Sequence, residues 1–161
     1  MKFLSAVVLS AVATLALAPV PVSSHCELPC GIYGDEMRFE MIDEHIRTLE
    51  KSMRKIEMLA SARAEGSAVA ENENQLVRWV VNKESHAEQL RSILTVYFLD
   101  QRIKPVEAGT DGHDRYRDIL ETVHRMMVRV MKCTQTTDQA HIEKLRQLRQ
   151  TLHDQYHELA H

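Results

Sequence analysis

The sequence predicts an all-α protein, an antiparallel four-helix bundle with an irregular amino-terminal metal-binding hook. Two observations carry the bundle. Apolar residues recur at threes and fours in four separate runs, and no segment alternates with period two for long enough to propose a strand. The breaks between runs are short, and helices joined by short connections pack antiparallel. The third observation, a cluster of histidine and cysteine ahead of the first run, carries the hook.

The first helix is expected from about Asp35 to Ala64, where Ile42, Ile46, Leu49, Met53, Ile56 and Leu59 lay one apolar stripe. Gly66-Ser67 ends it. Leu76, Val80, Lys83, Ala87, Leu90, Leu94 and Tyr97 continue at the same spacing in the second helix, with Trp79 and Ile93 widening the stripe and Lys83 as its one charged intruder. Pro105 and the stretch from Gly109 to Gly112 mark the next loop. The third helix carries Tyr116, Ile119, Leu120, Val123, Met127 and Val130. Thr136 with Gln139 three residues on reads as a capping box opening the fourth, which carries Ile142, Leu145, Leu148, Leu152, Tyr156 and Leu159. Core packing explains most of the methionines, and Cys133 is expected as a small buried residue.

Ahead of the bundle, Met1-Lys2 gives a short positive start and Phe3 to Ala18 is an apolar run closed by Pro19-Val20-Pro21. This reads as a secretory signal peptide cut near Ser24, since the run falls short of the ~20 apolar residues a spanning helix needs. The expected organisation is therefore 1–24 signal peptide, 25–34 hook and 35–161 bundle, in an exported protein, periplasmic or secreted, with no membrane attachment after cleavage. A formal charge of −3 with 27% charged and 5% aromatic residues gives no basic patch or stacking platform for nucleic acid. Three cysteines, Cys26, Cys30 and Cys133, do not make a disulfide framework.

Cleavage before His25 creates ligands that the uncut chain lacks. The new α-amine and the His25 imidazole stand on one residue, followed by the Cys26 amide nitrogen and thiolate, with the Cys30 thiolate brought back through a turn at Leu28-Pro29. Two thiolates and two backbone nitrogens in a plane, with an imidazole above, suit a metal that accepts square-planar or tetragonal geometry, as nickel and copper do. Zinc prefers a tetrahedron. Such donors stabilise a higher oxidation state and suit a one-electron couple.

The run His25-Cys26-Glu27-Leu28-Pro29-Cys30-Gly31-Ile32-Tyr33 resembles the nickel hook of the nickel-dependent superoxide dismutases, His-Cys-x-x-Pro-Cys-Gly-x-Tyr, at every fixed position. The resemblance implies a four-helix bundle assembled as a homohexamer, one nickel ion per subunit, and superoxide anion as substrate. It implies metal ligation by His25, Cys26 and Cys30, a cis turn at Pro29 and a screening, water-ordering role for Tyr33. Arg38-Phe39-Glu40 is similar to the family's Arg-Ile-Glu, which assigns Glu40 to the ligand histidine. His86, in Lys83-Glu84-Ser85-His86-Ala87, stands where the family often has arginine, and Tyr97-Phe98 is similar to the Tyr-Phe near the end of the family's second helix. The implied reaction turns two superoxide ions and two protons into dioxygen and hydrogen peroxide by a Ni(III)/Ni(II) cycle, with Tyr33 water, the Tyr97 hydroxyl or a ligand thiol as proton sources.

Two other readings stand beside this one. A secreted nickel- or copper-binding or sensing bundle would use the same ligands without turnover, and a structural bundle would bridge Cys26 to Cys30. His153, His157 and His161 fall four apart, a spacing that could bind a divalent ion, but solvated surface is the expectation at a chain end. Glu121-x-x-His124 and Asp154-x-x-His157 supply too few inward carboxylates for a di-iron bundle. His45, His113 and His141 are expected to be exposed.

Overall fold

The structure, a computed structural model, describes residues 34–66 and 69–159. The hook residues 25–33 and the signal segment lie outside the described residues. Four helices and no strand are found among those described. Helix α1 spans Asp35–Ala64, α2 Val69–Ser92, α3 His113–Gln135 and α4 Ala140–Leu159, and α2 runs without a break into a π-helical segment, Ile93–Arg102.

Each boundary has a local cause. Gly34 precedes α1 in an extended conformation without a side-chain cap, and Asp35 and Glu36 place negative charge in the first turn, where the helix dipole favours it. Past the other end, Gly66 takes φ 77°, the left-handed conformation that glycine adopts without cost, and its N–H donates to Arg63 O at 3.0 Å. Gly112, at φ 83°, turns the chain into α3. The α4 start differs from the expected capping box. Thr136 instead ends α3 in an extended conformation, and the side chain that caps α4 is Asp138, whose Oδ1 accepts from Ala140 N–H at 2.9 Å. Three eligible capping residues stand in a row, Thr136, Thr137 and Asp138, and the last one wins.

The core is built from Phe39, Ile42, Leu49, Leu90, Ile119 and Leu145 with their neighbours, all fully buried. The stripes expected for α1, α3 and α4 are largely found, but α2 departs twice. Val80 is exposed and Leu76 only half-buried, because the amino-terminal half of α2 packs on α1 beyond the reach of α3 and α4. Further on, α spacing stops at Ile93 and the i→i+5 pattern takes over, as Ile103 N–H donating to Phe98 O at 2.8 Å illustrates.

Lys83, the charged intruder, is 5% exposed. Its Nζ donates to Thr134 O at 2.6 Å, so the ammonium sits on a carbonyl at the negative end of α3. Cys133 beside it is fully buried, and burial pushes its thiol up to about 11, which keeps it protonated. His45 is 6% exposed, contrary to the expectation of an exposed residue, because it lies on the inward face of α1 next to Ile42, Ile46 and Leu49. His113 and His141 are half-buried; His113 bonds Val106 O at 2.9 Å through Nδ1, and His141 Nδ1 lies 3.3 Å from Arg129 Nη1.

Candidate metal centre

Gly34, the first described residue, leads into α1, so the surroundings of the α1 amino terminus are what the structure shows next to the expected hook. Asp35 is the first residue there. Its Oδ1 accepts from the Tyr97 hydroxyl at 2.6 Å and from Arg102 Nε at 2.7 Å, with Arg102 Nη2 at 2.5 Å. Burial alone would raise the Asp35 carboxyl; the bonds from Tyr97 and Arg102, with the nearby Tyr156 hydroxyl adding to them, outweigh it and hold the group below its ordinary range. Burial and the same carboxylate push Tyr97 up to about 12.

The π segment is what lets one carboxylate take both donors. Five residues on an α-helix are turned about 140° from each other, so Tyr97 and Arg102 would face different ways. With i→i+5 hydrogen bonds that turn narrows to about 50°, which puts residues five apart on one face. Beneath Asp35 an aromatic cluster fills the same end of the bundle: Phe39 and Phe98 have ring centroids 5.0 Å apart, and Phe98 and Tyr156 5.5 Å in an edge-to-face arrangement. The Arg38 guanidinium lies over the Tyr97 ring at 5.1 Å and that of Arg102 at 5.5 Å.

The other residues expected at the site stand as follows. His25, Cys26, Pro29, Cys30 and Tyr33 lie outside the described residues. Glu40 is exposed on α1, one turn past Glu36 on the same face, and lines a shallow groove with Met37, Met41 and Glu44. His86 meets His45, their Nδ1 atoms sharing one hydrogen bond at 2.9 Å. Because His45 is ten residues along α1 from Asp35, that pair sits about 15 Å down the helix from the Tyr97 cluster. Asp35, Arg102 and Tyr156 were not singled out by sequence reasoning. The only signal for them is position, an acid directly after the hook and an arginine five residues past Tyr97.

The helices and the clamp at Asp35 define a class: an all-α protein in which the start of the first helix is fixed by part-buried polar contacts. The description nickel-containing superoxide dismutase belongs to a family model that matches residues 20–159, and the chain belongs to that family. It is therefore an oxidoreductase acting on superoxide, and nickel is its metal. No curated protein and no solved structure matches the chain significantly.

Proposed function

We propose that superoxide is dismutated at a hook formed by His25, Cys26 and Cys30, with one nickel ion per subunit, after removal of residues 1–24 from an exported precursor. The family match over residues 20–159, which spans the whole hook, is the observation that supports this reading most directly. The donor chemistry fits: two thiolates, an amine, an amide nitrogen and an imidazole suit nickel's tetragonal preference. Cys133, fully buried and protonated, is unsuited to ligate. Held by His25, Cys26 and Cys30, nickel would supply one-electron chemistry between two oxidation states.

The chain's own residues supply the rest. Tyr33 screens the open face and orders water, Pro29 closes the turn, and Glu40 orients the His25 imidazole. Tyr97, whose O–H is committed to Asp35, fixes the point at which the hook leaves α1. In this reading it is a positioning residue; protons come from water held by Tyr33 or from a ligand thiol. His86 is engaged with His45, so the proposal rests on Glu40 and Tyr97 and not on His86. Assembly as a homohexamer belongs to the same reading.

The test is the amino terminus. Protein beginning at His25 should bind nickel and dismutate superoxide, while the same chain carrying one extra residue before His25 should lose at least a hundredfold in activity. Cys26→Ser and Cys30→Ser should lose bound nickel, and Cys133→Ser should keep it. Equal activity with and without the added residue would refute the hook.

A further inference from the structure

At the end of the bundle where the hook joins, three side chains from two helices converge on one point. Glu36, in the first turn of α1, faces His153 and His157, one turn apart on α4. His157 Nε2 lies 2.7 Å and His153 Nε2 3.4 Å from the same Glu36 Oε1, and the three candidate ligand atoms all fall within 4.8 Å of one another. The pair was expected to be plain solvated surface; the structure sets it against a carboxylate brought from the far end of the sequence.

We propose that Glu36, His153 and His157 form a second metal site, separate from the hook, that holds a divalent ion of the zinc class. Two imidazoles and one carboxylate are a ligand set that zinc takes in tetrahedral sites with a fourth position left to water. At zinc bond lengths of about 2.0–2.1 Å, tetrahedral ligand atoms stand about 3.3 Å apart, so rotamer adjustments of about an ångström close the site. The absence of thiolate and of backbone nitrogen separates this set from the hook, whose donors favour nickel or copper.

A second observation supports it: His153 is enclosed from behind. Its Nδ1 lies 3.5 Å from Asp154 Oδ1, an ion-pair distance, and Gln150 Nε2 donates to that same oxygen at 2.8 Å. Phe39, fully buried, packs edge-on to His153 with centroids 4.9 Å apart and forms an apolar wall behind the rings. On the other side the site is open, His157 being 42% and Glu36 62% exposed, which gives an ion a way in and leaves a position for water.

The full chain carrying Cys26→Ser and Cys30→Ser, which removes the hook thiolates, isolates this site. Titration with zinc alone should show one tight equivalent. Cobalt(II) in its place should give the visible d–d absorption of a four- or five-coordinate ion without a sulfur-to-metal charge-transfer band. His157→Ala and Glu36→Gln should each weaken zinc binding at least tenfold. Circular dichroism reports whether each variant keeps its helices. Absence of tight zinc binding, or binding unchanged by both His157→Ala and Glu36→Gln in folded protein, overturns the site. Because the hook thiolates are already gone, either result leaves the nickel reading untouched.

Discussion

His45 illustrates how a single position can set a pH limit. Burial first, and the charge of His86 second, lower its pKa below the ordinary 6.5. The unfolded chain therefore binds more protons than the folded one wherever the pH lies below that ordinary value. Stability is fully present above about pH 6.5 and is lost as pH falls toward the depressed folded value. Urea unfolding followed from pH 8 to pH 5 should show the midpoint falling only below about 6.5, and His45→Asn should flatten that limb. Neither feature was legible beforehand: histidine next to an apolar stripe carries no sign of whether it points in or out. Lys83 was different, since a lysine within a stripe advertises a buried partner even though sequence cannot name Thr134.

Among the elements, the π segment departs most from what periodicity can show. Helix α1 could be delimited from sequence almost to the residue, because an unpromising Gly34 precedes it and Gly66 punctuates its end. The change from i→i+4 to i→i+5 after α2 has no compositional mark: Ile93, Leu94, Tyr97 and Phe98 fit an α-helical stripe equally well, and it shows only in the folded chain, in the backbone bonding and in the convergence of Tyr97 and Arg102 on Asp35. That convergence can be measured. Tyr97→Phe and Arg102→Ala should each cost about 1–3 kcal/mol of unfolding free energy, as hydrogen bonds to a charged group do. Since both donors share one acceptor, the double variant should depart from additivity by about 0.5 kcal/mol or more. Strict additivity would mean that the two do not act through Asp35. The hook presents the reverse case, being legible in sequence as nine residues with fixed chemistry although no helix pattern bears on it.

At the scale of the whole molecule, the helices differ in length: α1 has 30 residues and α4 has 20, or about 45 Å against about 30 Å. The excess of α1, paired with the first half of α2, forms an arm beyond the four-helix core. Past Met53 the only buried residue of α1 is Leu59, and among the described side chains of α2 none before Lys83 is buried. Val77 and Val81, each 62% exposed, and Met58 at 52% lie on that arm. If the homohexamer proposed above uses this apolar surface, Val77→Glu combined with Val81→Glu should lower the sedimenting mass while leaving helix content unchanged. An unchanged mass would place the contacts elsewhere. Among the described residues no helix is long and apolar enough to cross a membrane.

The described core closes between Phe39 and Leu152, and among the described residues Asp35 ties down the start of α1 through Tyr97 and Arg102. None of those contacts draws on a metal ligand. On the proposed hook reading, the described scaffold holds together without drawing on its cofactor, and nickel binding concerns only the residues ahead of α1. In small zinc modules, by contrast, the ion must assemble the whole domain. Folding and metallation become separate events, which frees a cell to carry them out in different places and at different times.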